Sequence, residues 1–179
     1  MRKSKAKNSI STRTGDNGLT TQLYGKRIPK THPRIVANGS IDELSSYLGL
    51  AKALCDVSET KEILQKIQLE LISIMGEIGV VNEDQEKFLT SKIPHIENDA
   101  LERLDDLVDE LETEERKFTG WVLAGTSQLQ ATLHIARAVC RRAERDVVAL
   151  RENGEILREL PAQYLNRLSD ILWLLARDK

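Results

Sequence analysis

The chain has 179 residues, enough for one domain with an interior of its own. Lys plus Arg number 26 and Asp plus Glu number 28, and a net charge of -2 argues against a general nucleic-acid binder. Charged residues make up 30% and aromatics 4%, a mixture rich in Leu, Ala, Glu, Lys and Arg that leans towards helix.

The first seven residues, MRKSKAK, are basic, and no apolar segment follows them. Residues 1–9 therefore read as a disordered tail rather than a secretory signal, with a trimmed organellar targeting stub as the alternative. Residues 10–179 read as a single domain. Its first part, residues 10–38, holds Gly15, Gly18, Gly25, Pro29 and Pro33 without a sustained apolar period, and is expected to be an ordered loop region. So long a structureless stretch in a compact domain is often functional.

Helical patterns follow. Ser40 and Glu43 have the spacing of a capping box ahead of Leu44, Tyr47, Leu48 and Leu50. Ile63, Leu64, Ile67, Leu71, Ile74, Met75 and Ile78 fall at three-and-four spacing, a long amphipathic helix. Residues 82–95 read as a loop. Leu101, Leu104, Leu107, Val108 and Leu111 mark a third helix. A fourth starts near Thr126 or Ser127 and runs through Leu129, Leu133, Ala136, Val139, Cys140, Ala143 and Val147. Pro161 suits the opening of a fifth, carried by Leu165, Leu168, Ile171, Leu172 and Leu175. The expected fold is all-α, an antiparallel bundle of about five helices. Cys55 and Cys140 have no CxxC partner and suit burial in a reducing compartment. The three histidines show no metal-ligand spacing, and no apolar run approaches the ~20 residues of a membrane span.

Three segments could carry chemistry. In TRTGDNGLTT (12–21) two glycines let the backbone turn tightly towards an anion, and threonines and Arg13 add donors. An ordinary turn with local Thr and Asp hydrogen bonds accounts for the same composition. Arg137, Arg141 and Arg145 share one helix face at i, i+4, i+8, with Arg142 about 100° away. Such guanidinium forks suit a polyphosphate, and a solvated basic face with Glu144 as partner is the plain alternative. Asn166 and Asp170 also share a face, either as a specific hydrogen-bonding pair or as an exposed polar strip.

Taken together and in order, these blocks resemble the PduO-type cobalamin adenosyltransferases over about residues 12–177. The resemblance is carried by TRTGDNGLTT (12–21), Pro29-Lys30, GSIDELSSYLGLA (39–51), HIARAVCRRAER (134–145) and YLNRLSDILWLLAR (164–177). It implies a five-helix, ferritin-like up-down bundle with an N-terminal ATP-binding loop, assembled as a homotrimer with active sites between subunits. It implies transfer of the 5'-deoxyadenosyl group of ATP to the cobalt of cob(I)alamin, with release of triphosphate and help from Mg²⁺. ATP would be held by Thr12, Arg13, Thr14, Gly15, Thr20, Thr21, Lys30, Arg141, Arg142, Ala143, Glu144, Arg145 and Asn166, with Arg141 and Asn166 acting in catalysis. Asp42 would pair with Arg137 across the subunit boundary, and Asp170 would lie near the corrinoid. Trp121 takes the place of the family's usual Phe, whose ring presses on the lower corrin face and displaces the axial ligand. Ala124 and Thr126 replace the usual Pro and Gly of that loop. The implied partners are a corrinoid reductase and an adenosylcobalamin-dependent enzyme, with no nucleic acid and no membrane, in the cytoplasm. Two rival readings are a catalytically weak corrinoid carrier on the same fold and a non-enzymatic partner-binding bundle.

Overall fold

A computed structural model describes residues 11, 13–113, 120, 122–156 and 158–177. Two short antiparallel strands, β1 (Leu19–Thr21) and β2 (Arg27–Pro29), precede six helices. These are α1 (Pro33–Leu54), α2 (Ser58–Ile78), α3 (Gln85–Leu89), α4 (Asn98–Leu111), α5 (Gln128–Glu152) and α6 (Leu160–Leu175). The described residues are thus mostly helical with a small two-stranded sheet, and five of the helices among them are long.

Each long helix buries one apolar stripe. Ile41, Leu44 and Leu48 of α1 meet Leu133, Ala136, Cys140 and Ala143 of α5 and Leu64, Ile67 and Leu71 of α2 in a continuous core. Leu104 and Leu107 of α4 join it beside Leu165, Leu168 and Leu172 of α6. Cross-helix bonds fix the directions. Gln68 Nε2 donates to Ser45 O at 2.9 Å and Asn38 Nδ2 to Met75 O at 3.3 Å, so α1 and α2 run antiparallel. Ser40 with Asp146 and Arg142 with Glu43 set α1 against α5 in the same sense. Cys140 Sγ donates to Leu165 O, and Arg151 pairs with Glu159, so α5 and α6 are antiparallel too. Burial holds the Cys140 thiol well above its ordinary pKa, which leaves it protonated and inert.

Several boundaries differ from those the sequence suggests. The first long helix opens at Pro33, inside the expected loop, with His32 Nδ1 accepting from Arg34 N at 3.2 Å. Ser40 is therefore not a cap: it lies within α1, and its hydroxyl donates to Asp146 Oδ2 at 2.6 Å. The expected loop 82–95 contains a 3₁₀ turn (Asn82–Asp84) and α3, so the helix count is six among the described residues. The starts of α5 and α6 match expectation: Ser127 Oγ accepts from Gln130 N at 3.1 Å, and Pro161 stands in the first turn of α6.

A polar cluster between α2, α4 and α6 is buried in the bundle. The fully buried Tyr164 hydroxyl donates to Glu70 Oε2 at 2.5 Å, and Arg103 pairs with the same carboxylate. Burial, then the Glu70 charge, pushes the phenol pKa well above its usual value, so Tyr164 remains a donor. Tyr164→Phe leaves a buried carboxylate one donor short and is expected to cost about 1–3 kcal/mol in denaturant unfolding. An unchanged midpoint would mean that Arg103 and Lys66 satisfy Glu70 alone.

Candidate functional site

The loop ahead of β1 is held from three directions. Arg27 Nη2 donates to Thr14 O at 2.6 Å and to Asn17 Oδ1 at 3.2 Å. Gly18 N donates to Gly15 O at 3.2 Å, and Lys30 N donates to Gly18 O at 2.9 Å. Lys30 then lays its side chain along Gly15, where a Cβ would stand 3.1 Å from both Cε and Nζ. A side chain at this position would make the Lys30 ammonium give by a few tenths of an ångström, so glycine gives it the closest approach to the backbone. Thr20 and Thr21 stand on β1, opposite Ile28 and Arg27. Arg13 and Thr14 are exposed, and Arg13 takes a left-handed φ of 58°, a strained value for a residue with a side chain.

The hairpin is tied to the bundle at its turn. Gln22 N donates to Lys26 O at 2.7 Å, and Tyr24 and Gly25 both have positive φ. The Lys87 ammonium lies 3.9 Å from the centre of the Tyr24 ring, and Lys26 pairs with Glu83 at 3.1 Å. The residue's own backbone N–H, then Lys26, hold the Glu83 carboxyl below its usual pKa.

On α5 the arginines differ in setting. Arg141 and Arg145 are exposed, and Arg145 Nη1 donates to Arg141 O at 2.9 Å. Arg142 is held by Glu43 of α1. Glu144 is half-buried, whereas Ala143 faces the core and offers no side-chain surface to a ligand. Arg137 is half-buried, with its Nε buried and lacking a hydrogen-bond partner among the described residues. His134, one turn earlier, has its Nε2 in the same condition, and burial followed by the Arg137 charge lowers its pKa, so it is neutral. Asp42 is exposed on α1.

His134, Arg142, Ala138, Ala131 and the Ala124–Gly125 backbone line an open cleft along α5. Leu123 beside it is 87% exposed and Ile135 is 45% exposed, so an apolar surface flanks the arginines. Gln130 Oε1 accepts from Gly125 N at 2.6 Å and Thr126 N at 3.2 Å, which folds this loop back onto the helix start. On α6, Asn166 is exposed, and Asp170 lies in a second cleft with Val108, Glu112 and Trp173, 3.6 Å from Arg167. Thr12 and Trp121 lie outside the described residues.

Sequence reasoning passed over two arginines. Arg27 clamps the loop from the opposite strand, and Arg34 is fully buried beneath the start of α1. Each acts through contacts that local periodicity does not register.

The family model described as cobalamin adenosyltransferase matches residues 10–179. A "Cobalamin adenosyltransferase" of Cupriavidus metallidurans is 40% identical over 169 residues, covering 94% of this chain and 86% of that one. A "Corrinoid adenosyltransferase" of Mycobacterium leprae is 37% identical, covering 94% and 89%. Among solved structures, a variant PduO-type ATP:corrinoid adenosyltransferase from Lactobacillus reuteri complexed with cobalamin and ATP superposes with a TM-score of 0.84 at 28% identity, covering 94% of this chain and 92% of that one.

Proposed function

This chain belongs to the cobalamin adenosyltransferase family, and we propose that the loop before β1 and the arginine face of α5 are the surfaces on which it handles ATP. It is an ATP-dependent corrinoid adenosyltransferase, transferring the adenosyl group of ATP to cobalamin. The observation that supports the nucleotide assignment best is Lys30 packed on Gly15, which puts an ammonium beside backbone that has no side chain in the way.

In this reading Thr12, Arg13, Thr14, Gly15, Thr20, Thr21 and Lys30 hold the triphosphate from one side. Arg141, Arg142, Glu144, Arg145 and Asn166 hold the nucleotide from the other, and Ala143 contributes only by keeping the helix packed. The reduced cobalt attacks the 5'-carbon, and charge develops on the departing triphosphate. Fixed cations stabilise that departure, and Mg²⁺ brought with the nucleotide would add to the neutralisation of its charge. No protein nucleophile or general base is required. The corrinoid lies against the apolar surface around Leu123 and Ile135, with Trp121 excluding the lower axial ligand and Asp170 at the margin.

The same reading makes the enzyme a homotrimer with sites between subunits. Arg137 keeps a buried Nε without a partner among the described residues, and Asp42 stands exposed on α1, which suits a pair formed between two copies. A corrinoid reductase and an adenosylcobalamin-dependent enzyme would supply and receive the cofactor in the cytoplasm.

The test is anaerobic incubation with ATP, Mg²⁺ and chemically reduced cobalamin, followed by a spectrum. Adenosylcobalamin in multiple turnovers is expected; tight corrinoid binding without turnover would instead identify a carrier. Within the loop, Gly15→Ala pushes Lys30 aside and is expected to raise KM for ATP roughly tenfold, the worth of one charged hydrogen bond. Turnover at saturating ATP and the melting temperature should change little. An unaltered KM would remove Lys30 from the nucleotide site.

A further inference from the structure

We infer that Arg27 is the positioning residue of the nucleotide loop: it fixes the Thr14–Gly15 peptide before ATP arrives and does not itself hold the phosphates. The inference rests on the assignment of this loop to ATP, and it concerns how the loop is kept ready.

Residues 13–18 belong to neither strand nor helix, so no ladder of backbone bonds holds their peptide planes. Two of those planes have fixed partners, one from β2 and one from the residue after it. The Gly18 carbonyl accepts from Lys30 N at 2.9 Å, and the Thr14 carbonyl accepts from Arg27 Nη2 at 2.6 Å. Arg27 opens β2 and pairs with Thr21 next to the hairpin turn, and its side chain reaches from this strand back to the start of the loop. The same nitrogen also reaches Asn17 Oδ1 at 3.2 Å, and that oxygen accepts from Leu19 N at 3.4 Å. One guanidinium group therefore gathers both ends of the loop.

The consequence follows from peptide geometry. In a trans peptide the C=O of residue 14 and the N–H of residue 15 point in opposite directions. With Thr14 O turned onto Arg27, the Gly15 N–H is turned away from it and left to donate elsewhere. A free glycine peptide flips readily, and a flip would present a carbonyl oxygen where an anion needs a donor. Arg27 thus removes in advance an ordering cost that ATP binding would otherwise have to meet.

The experiment compares wild type with Arg27→Ala and Arg27→Lys. Amide hydrogen exchange across residues 13–18 is measured without nucleotide and with ATP, together with KM, kcat and a melt. In the nucleotide-free protein, Arg27→Ala is expected to speed loop exchange several-fold. It should raise KM for ATP about tenfold, the usual worth of one charged hydrogen bond, with kcat within about threefold. Arg27→Lys should recover only part of both effects, because one ammonium on a shorter stem replaces a planar fork. Unchanged exchange in the free protein alongside a raised KM would place Arg27 on the phosphates and overturn the inference. Full rescue by lysine would do the same. A drop in melting temperature with kcat and KM both impaired would reduce Arg27 to a structural role. If ATP fails to slow loop exchange in an active wild type, the loop is not the nucleotide site, and the inference falls with that assignment.

Discussion

Replacing Arg141 with alanine is expected to lower kcat about a hundredfold, because a fixed cation facing a leaving triphosphate is worth roughly 3 kcal/mol in the transition state. The side chain is exposed on α5, so its removal opens no cavity and strands no buried partner. Stability should stay within about 0.5 kcal/mol, as for surface substitutions generally. Its neighbours set useful contrasts. Arg142 is engaged with Glu43 of α1, so Arg142→Ala mixes a lost ligand contact with a lost tie between helices. Arg145 reaches back to the Arg141 carbonyl, which holds it close to the helix. Arg141 therefore gives the cleanest separation of chemistry from folding on this face. Arg141→Lys keeps the charge but not the planar fork, and should fall between wild type and alanine. Steady-state kinetics under anaerobic conditions, with a melt of each variant, decide the matter. Near-normal turnover by Arg141→Ala would move the phosphate-binding role elsewhere on α5.

The long helices were legible because each buries a continuous stripe at helical spacing, and that spacing is a property of the sequence alone. The starts of α5 and α6 were legible for a related reason: Ser127 and Pro161 act on the backbone within one turn of themselves. The start of α1 was misread because histidine is an uncommon cap, whereas Ser40 and Glu43 have capping-box spacing. Both side chains are instead used across the α1–α5 seam, by Asp146 and Arg142, at sequence separations of 106 and 99. The five residues of α3 and the three-residue strands are too short to show a period. The candidate site was legible as blocks of residue types. Its internal wiring was not, since Arg27 and Lys30 meet the loop through backbone carbonyls and a bare glycine, and neither leaves a pattern in composition.

Arg34 carries the largest expected effect on stability. Its guanidinium is fully buried, yet it is surrounded by acceptors. Nη1 donates to Ile78 O at 3.1 Å and Val80 O at 2.6 Å; Nη2 donates to Asn82 Oδ1 at 2.8 Å and to Glu155 O. Nε bonds Glu155 Oε2 at 2.9 Å. Ile78 ends α2, where carbonyls have no partner within the helix, so one side chain caps α2 while joining it to α1 and to the α5–α6 connection. Burial pulls the guanidinium below its ordinary pKa, and the hydrogen bond and charge of Glu155 pull it back. Arg34→Met keeps much of the volume and removes every donor. It is expected to cost about 3–5 kcal/mol, the range for breaking a buried charged network. Adding Glu155→Gln should recover only a small part. The Glu155 side chain is 36% exposed and can be hydrated, and Val80 O keeps the Gln85 Nε2 donor at 2.9 Å, so most of the loss lies in the stranded Ile78 carbonyl and in the tie between the elements. Arg34→Lys should be intermediate, because a single ammonium has three donors for the five acceptor atoms that Arg34 meets. Denaturant unfolding of the three variants separates these terms. If Arg34→Met loses under about 1 kcal/mol, water must reach these carbonyls, and the junction of α1, α2 and the α5–α6 connection is held by apolar packing alone.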